Sequence, residues 1–563
     1  MLKNNIAQEI NSALKKAGFK NINKTDFHVT RSKFDKFGDF SVNILDISQK
    51  LNLVPNRLAE KIVKKINNKD ILIEYTPNGY LNFKISSNHL KQNLVNILTK
   101  KSKDDVRSLG KNEIIVIDYS SPNIAKPMGV GHLRSTILGQ SLVNIYRYLG
   151  YKVIGDNHVG DWGTQFGKII LAYKKWSKIK LEKLTIKNIL DLYIKFHLLA
   201  KDNHDLEQSA QIEFKKLEDG DKENTIIWKK IKNLSLKEFE KIYKILDIHF
   251  DKSLPESFYL KMAQNVISEA LKNKIAILDQ GAVIISLVDE NFPPLLIRKK
   301  DEATLYATRD LACLDYRINK FKARKIIYVV GNEQNLYMRQ LFASARKLQF
   351  EIELTHVNFG LIRLGTQKMS TRSGNIIYLE DLICKSIEKA KKVIIEKNPK
   401  ISSANLQKTA EAIGVSAVKY NDLSQNRNTD INFSYDKMMS QKGNSALYLF
   451  YAYARAKSVL RKSKNNIFKQ INCDSFDKFE EELLRTLLHF HDSIIESAEN
   501  FSPNIIADYI FKLAEKFNNF YENVNILKAQ EDKKILRLAI VSATAETIKS
   551  GLDLLGIKVL EKI

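Results

Sequence analysis

The sequence predicts an α/β protein in three parts. A doubly wound parallel sheet fills the middle of the chain, a smaller α/β domain precedes it, and an all-helical bundle follows. Three observations carry this reading. An apolar run, IIVIDY (Ile114 to Tyr119), leads into a glycine-bearing turn and a long helical pattern, and a second strand-like run, YKVIGDNHV (Tyr151 to Val159), comes next; that is the order of a βαβ unit. Strand and helix patterns keep alternating from about 110 to about 440, as in sheets covered by helices on both faces. Beyond about 441 helical periodicity runs on with few Gly or Pro to break it, which predicts a bundle.

In chain order, residues 1 to about 105 open on MLKNNIAQEINSALKKAGF. It has the amphipathic look of a targeting peptide, but Glu9 and the lack of Arg make it the first helix of a folded domain. Strand-like FHVTRSKFDKFGDFSVNI and a Lys-rich helix around Pro55 to Ile66 follow. ILIEYTP and YLNFKIS then meet at Asn78-Gly79, a strong hairpin signal. In the helix of the βαβ unit Leu133, Ile137, Leu142, Ile145 and Leu149 recur at helical spacing, so one face packs on the sheet, and Gly150 stops it. The first half of the sheet ends near Lys168. Residues from about 175 to 250 are helical and rich in Lys, Asp and Glu, an insertion between the halves. AILD and AVIISLVD pair around Gln280-Gly281. The second half restarts with ATLYATRD (Ala303 to Asp310), read as a strand, then a helix carrying Leu311, Leu314, Ile318 and Phe321. A buried strand (Ile326 to Val330), a helix after Gln334 and a strand over Val357 to Ile362 complete it. In the helical part, Tyr448, Tyr451 and Arg455 share a stripe, a pattern more often core packing than a base-stacking surface.

The 563 residues are 44% hydrophobic and 27% charged, a soluble globular composition with about two to four domains. No apolar run reaches the ~18 residues of a membrane span. Cys313, Cys384 and Cys473 stand far apart, which suits a reducing cytoplasm. None of the ten histidines falls in a metal-ligand pattern; His489 and His491, two apart on a predicted helix, point different ways. No metal site and no structural zinc is expected. The net charge of +26 suits a polyanionic partner, although a chain this rich in Lys, Ile and Asn would carry such an excess without one.

The chemistry concentrates in PNIAKPMGVGH (Pro122 to His132), where strand meets helix. A helix N-terminus at a strand end presents free N–H groups and a positive dipole end to phosphate. Gly129 and Gly131 put no side chain in the way, and His132 stands in the first turn. Such turns are common, so the weight comes from a second short motif, KMSTRSGN (Lys368 to Asn375). Together the two resemble the HIGH and KMSKS signatures of class I aminoacyl-tRNA synthetases. SSPNIAKPM, GHLRST and NHVGDWGTQFG resemble the arginyl-tRNA synthetases in particular, and the likeness runs along nearly the whole chain.

That resemblance implies a Rossmann-type catalytic domain over 106–440, an N-terminal added domain over 1–105 that leans on the tRNA, and a C-terminal anticodon-binding bundle over 441–563. It implies ATP as substrate, with Mg²⁺, and L-arginine and tRNA(Arg) as partners, for a monomer that activates arginine only with tRNA bound. By the same resemblance Pro122, Asn123, Gly129, Gly131, His132, Lys368, Met369 and Ser370 bind ATP. His132 matches the second His of the first motif and Lys368 the first Lys of the second. Lys126 stands in for the second Lys, whose place Thr371 takes, so His132, Lys368 and Lys126 are the catalytic set. Asp118 and Asp310, with Tyr306, would hold the guanidinium, whose planar fork wants bidentate acceptors; Ser121, Asn123 and Gln334 would surround the α-amino group. Both acids fall at predicted strand ends, and Asp310 also reads as an N-cap ahead of LACLDYRI. The family often has Glu where Asp118 stands.

Gly129 departs from the pattern, since it replaces the first His of the tetrad. Loss of one preorganised donor costs about 2.7–4 kcal/mol, which implies an active but slower enzyme. The rival is a catalytically weakened tRNA-binding paralogue. A class I synthetase for another amino acid would leave Asp118 and Asp310 unpaired, and a nucleotidyltransferase does not explain the bundle.

Overall fold

The structure is a computed structural model that describes residues 2–561 apart from 33, 202, 301, 303, 364–377, 441, 464–470 and 472–474. Its first helix, α1 (Leu2–Lys16), buries Ile6, Ile10, Ala13 and Leu14. The strands β1 (Val29–Arg31), β2 (Phe40–Asn43), β3 (Ile71–Thr76) and β4 (Tyr80–Ile85) form an antiparallel sheet in the order β1-β2-β4-β3, with helix α2 (Pro55–Val63) between β2 and β3. Thr76 pairs with Tyr80, and the Gly79 N–H closes the turn on the Thr76 carbonyl at 3.0 Å. Gly79 takes φ +81°, which a residue with a Cβ adopts at a cost.

The central sheet begins with β5 (Ile114–Asp118), crosses over through α3 (Gly131–Tyr148) and returns as β6 (Lys152–Asp156). Helices α4 (Thr164–Trp176), α5 (Ile186–Ala200), α6 (His204–Glu218) and α7 (Lys222–Leu246) follow. A separate antiparallel sheet comes next, of β7 (Ala276–Asp279), β8 (Ala282–Ile285) and β9 (Leu295–Arg298). Then α8 (Tyr306–Asn319), β10 (Lys325–Tyr328), α9 (Asn335–Lys347) and β11 (Glu353–His356) complete a four-stranded parallel sheet in the order β11-β10-β5-β6. Asp118 stands level with Tyr328 on one side and Asp156 on the other, so three polar side chains end together at the carboxyl edge, where ligands bind in such sheets.

α3 is buried far beyond the single face its periodicity implied. Arg134, Ser135, Thr136, Gln140 and Ser141 are buried along with its leucines and isoleucines, because Ser135, Thr136 and Gln140 meet the ends of the sheet strands and the loop after β5, Arg134 meets Asp422, and the helical bundle covers the far side. The Ser141 hydroxyl donates to the Leu554 carbonyl at 3.0 Å and the Tyr146 hydroxyl to that of Ala498, also at 3.0 Å. Gly150 takes φ +89° just past the helix end, the position at which a left-handed residue stops a helix.

Two expected strands are corrected. The segment read as a strand over Val357 to Ile362 is a loop as far as Leu361; the strand of the sheet is β11, which ends at His356. Val357 and Phe359 are apolar because they are buried in that loop. The ATLYATRD segment is helical from Tyr306 onward.

Beyond β11 come β12 (Ile362–Arg363), α10 (Leu379–Lys397), α11 (Ser403–Leu423) and β13 (Ile431–Asn432), with β12 and β13 paired in parallel. The motif KMSTRSGN lies between β12 and α10, outside the described residues. The bundle consists of α12 (Ala446–Ser463), α13 (Lys478–Leu488), α14 (Phe490–Glu499), α15 (Asn504–Asn523) and α16 (Glu531–Leu554). On the aromatic stripe of α12, Tyr448 packs on Phe511, and Arg455 donates to Asn518 at 2.7 Å and lies over Tyr521; these are contacts within the bundle. Among the described residues no helix is long and apolar enough to cross a membrane.

Candidate active site

The site grows out of the loop that leaves β5. Ser120, Ser121 and Ala125 all take left-handed backbone angles, at φ +68°, +40° and +76°. Each such residue costs on the order of 1–3 kcal/mol and persists only where its surroundings over-determine it. Here the restraints come from three sides. The Ser120 N–H donates to Ser135 Oγ of α3 at 2.9 Å, the Ser121 N–H to Asn157 Oδ1 at 3.1 Å, and the Ala125 N–H to Ser235 Oγ of α7 at 2.9 Å. Ile124 and Pro122 exchange backbone hydrogen bonds with Gly160, where a Cβ would collide with the Asn123 side chain.

Beside this loop opens a cleft of about 990 Å³. All six residues assigned to arginine, Asp118, Ser121, Asn123, Tyr306, Asp310 and Gln334, line it. The two acids therefore share one cavity, but they differ in state. Asp118 is 3% exposed and is already engaged. Its Oδ2 accepts from Nη2 of Arg317 at 2.6 Å and its Oδ1 from the Ser121 hydroxyl at 2.7 Å. The same Nη2 donates to Asp156 Oδ2 at 2.8 Å. Arg317 is fully buried, so the protein carries its own guanidinium against the first acid. Burial raises the Asp156 carboxyl above the usual range, and the Arg317 charge opposes that rise.

Asp310 lies inside α8, one turn after Tyr306, and so sits neither at a strand end nor at an N-cap; the cap residue is Leu305. The Tyr337 hydroxyl donates to its Oδ2, and His158 Nε2 faces its Oδ1 at 3.4 Å. Tyr306 is 52% exposed and stands edge-on to Tyr337, with ring centroids 4.9 Å apart. The carboxylate and the two phenols make one wall of the cleft. Gln334, at the N-cap of α9, also lines the cleft.

His132, Lys126 and Gly129 form a neighbouring cluster at the N-terminus of α3 and do not line the acidic cleft. His132 Nδ1 lies against the backbone of Gly129, 3.2 Å from its nitrogen and 3.3 Å from its carbonyl oxygen, and this fixes the ring's orientation. Burial, with the nearby Lys126 charge, pushes His132 down to about 4, so the imidazole is neutral. Around Gly131 an added Cβ would meet nothing within 4 Å, so ligand can approach the helix end. Pro122 is buried. Gly129 forms a backbone bridge with Tyr378, and the Leu379 N–H donates to the Met128 carbonyl at 3.0 Å. The chain therefore returns to the first motif directly after the second. Lys368, Met369 and Ser370 lie outside the described residues.

Several residues of the site carried no assignment from the sequence. Arg317 stands seven residues after Asp310 on a predicted helix, a same-face spacing that would have flagged it. His158 falls within NHVGDWGTQFG, and Tyr337 three residues past Gln334. Arg134, two residues after His132, is 2% exposed; it donates to the carbonyls of Gly360 and Thr429, each at 2.8 Å, and to Asp422 at 3.2 Å. It ties the motif helix to the segments that lead into β12 and β13. Burial pushes the Asp422 carboxyl up to about 6, against the pull of Arg134.

Comparison with known proteins identifies the family. Residues 93–435 match the family described as tRNA synthetases class I (R), catalytic domain. Residues 4–85 match the arginyl tRNA synthetase N terminal domain, and residues 449–563 the DALR anticodon binding domain. An arginine–tRNA ligase of Fusobacterium nucleatum is 40% identical over 544 residues, 95% of each chain. One from Clostridium botulinum strain Loch Maree is 40% identical over 531 residues, covering 93% of this chain and 94% of the relative. The crystal structure of arginyl-tRNA synthetase from Plasmodium falciparum superposes with a TM-score of 0.86 at 29% identity, over 100% of this chain and 99% of that one. That of Thermus thermophilus gives 0.85 at 21% identity over the whole of both chains, a likeness of fold. The fold is that of a class I aminoacyl-tRNA synthetase. Within that class the chain belongs to the arginyl-tRNA synthetase family.

Proposed function

We propose that this protein joins L-arginine to tRNA(Arg) with ATP, by way of arginyl-adenylate. The arginine carboxylate attacks the α-phosphate, a new O–P bond forms, and the bond to pyrophosphate breaks. A terminal ribose hydroxyl of the tRNA then takes the arginyl group and AMP leaves. The first step needs positioning and charge stabilisation more than proton transfer. The α3 N-terminus, the neutral His132 imidazole and the Lys126 ammonium supply it from the described residues, with Lys368, Met369 and Ser370 assigned to the phosphates through their place in the second motif. Gly129 and Gly131 let the nucleotide approach the backbone, Pro122 shapes the turn and Asn123 bridges the nucleotide and amino-acid sides.

The observation that carries arginine as the substrate is the partnered pair of acids in one cleft. Asp118 and Asp156 share Arg317, which leaves that trio one negative charge, and Asp310 adds another. A guanidinium matches that charge and can take both oxygens of a carboxylate; a neutral side chain brings no charge to set against it. Tyr306 and Tyr337 give the cation aromatic faces and edges at the same wall, and Ser121, Asn123 and Gln334 are placed for the α-amino group. The cleft continues to Gln208, Gln211 and Lys215 of α6, room for the tRNA 3′ end, and the +26 charge favours the RNA. The N-terminal domain and the C-terminal bundle are assigned the remaining tRNA contacts.

Mg²⁺ fits this reading as the companion of the ATP phosphates, whose charge it neutralises when bound. Among the described residues no group of three or more metal-ligating side chains converges, and Mg²⁺ commonly relies on substrate phosphates and water. One chain contributes every assigned residue, so a monomer suffices, acting in the cytoplasm with its tRNA. The reading is tested by ATP–pyrophosphate exchange: arginine-dependent exchange is expected with tRNA(Arg) present and little without it. Arginine-independent exchange, or none at any enzyme concentration, would overturn it.

A further inference from the structure

We infer that His158 holds the place of the substrate's guanidinium at Asp310 and gives up a proton when arginine binds, which makes it a specificity-determining positioning residue. This rests on the reading of the cleft as the arginine site, and it follows from what each ring nitrogen faces. Nδ1 lies 3.0 Å from the Leu254 carbonyl oxygen. A carbonyl only accepts, so Nδ1 carries a proton. In a neutral ring Nε2 would then present a lone pair to the Asp310 carboxylate, 3.4 Å away. Nε2 is buried and has no hydrogen-bond partner among the described residues. Lone pair against carboxylate in a side chain only 10% exposed is unfavourable; a proton on Nε2 turns the same juxtaposition into an ion pair.

The surroundings favour that proton. Asp310 and Cys313 face the ring from α8, the latter with Sγ 4.0 Å from Nδ1. Tyr259 packs on it with centroids 5.4 Å apart. Glu256 and Asp156 act on it from their own elements, and the cations nearby, Arg309 and Arg317, are committed to those two carboxylates. Burial opposes a charged ring, but Cys313 and Asp310 together hold His158 well above 6.5. His158 also spans the two acids. Its backbone N–H donates to Ser121 Oγ at 3.2 Å, and that hydroxyl donates to Asp118.

A guanidinium arriving at Asp310 meets a resident imidazolium. Two cations sharing one carboxylate disfavour each other, and only the imidazolium can shed its charge, since arginine keeps its proton. The proton passes from Nε2 to solvent while the guanidinium takes its place on Oδ1. A neutral isostere brings no charge to drive the exchange, so the device selects for a cation.

The test is calorimetric titration of L-arginine into the full-length protein with tRNA(Arg) and without ATP, in phosphate and in Tris near pH 7. The expected result is a buffer-dependent enthalpy corresponding to about one proton released. As pH rises towards the His158 pKa, affinity should tighten by up to about tenfold per pH unit. H158Q, or H158N should H158Q fail to fold, is expected to bind arginine with no buffer dependence and a flat pH profile. Arginine binding with a buffer-independent enthalpy in the unmodified protein would overturn the inference while leaving the arginine site intact, as would proton release that persists in the variants. Failure of arginine to bind at all would remove the site reading and the inference with it.

Discussion

Replacing Asp310 by asparagine keeps the side-chain shape and an acceptor for the Tyr337 hydroxyl and removes one negative charge from the cleft. Truncating one partner of a hydrogen-bonded charge pair costs about 2–5 kcal/mol. The Asp310 side chain is 19% exposed, so screening favours the lower part of that range, about 2–4 kcal/mol. At about 1.4 kcal/mol per decade this is a ~30- to 700-fold loss in kcat/KM for arginine. The guanidinium is remote from the reacting carboxylate, and its contacts are made in ground and transition states alike. The loss should therefore appear as a raised KM for arginine with kcat changed little. tRNA-dependent ATP–pyrophosphate exchange at varied arginine measures it, with KM for ATP as the internal control. Citrulline should compete relatively better in D310N than in the unmodified protein. A KM for arginine within threefold of the unmodified value, or an equal rise in KM for ATP, would refute the assignment of Asp310 to the guanidinium.

Three further outcomes follow from the same geometry. Gly129→His should raise the rate of activation, by up to the ~10²–10³ that one preorganised donor contributes, because His132 is oriented by the Gly129 backbone that the substitution retains; an unchanged rate would show that the missing imidazole has no role here. Arg317→Met leaves Asp118 and Asp156 facing each other in the core and should cost about 3–5 kcal/mol of stability, seen as an earlier transition in chemical denaturation; an unmoved transition would contradict a charged trio. His132, held at about 4 against an ordinary 6.5, should lend stability that is complete above about pH 6.5 and lost as pH falls towards 4, by at most about 3 kcal/mol for a 2.5-unit depression. Denaturation at pH 7 and pH 5 should therefore show a steeper acid loss for the unmodified protein than for His132→Gln, and parallel losses would contradict a buried neutral imidazole.

What could be read from the sequence was local. The βαβ unit, the Gly150 stop and the Asn78-Gly79 hairpin each follow from a few neighbouring residues whose conformational preferences coincide with the fold. That Asp118 and Asp310 meet in one cleft, and that a helix starts at the glycine turn, was legible through the motifs. The errors arose where packing overrode pattern. Val357 and Phe359 are apolar because they are buried in a loop beside Arg134, whereas β11 is a short edge strand with little burial and a weak apolar signal. The Tyr306 segment reads as strand from its Thr and Tyr content. Its helix is set by long-range contact, with Thr308 accepting from the Leu305 N–H and donating to the Ile297 carbonyl. The hold of Arg317 on Asp118 spans 199 residues, and that of Arg134 on Thr429 spans 295; no short-range pattern encodes either. The unexpected finding is the consequence: the first acid arrives at the cleft already paired.

The central claim is that this cleft selects arginine for transfer to tRNA. It is met most directly by charging purified tRNA(Arg) with the full-length protein and ATP, each of the twenty amino acids being offered in turn and then all together. Only arginine should be esterified to the RNA, in both formats. Esterification of any other amino acid at a comparable rate, or no charging at any enzyme concentration while tRNA still binds, would contradict it.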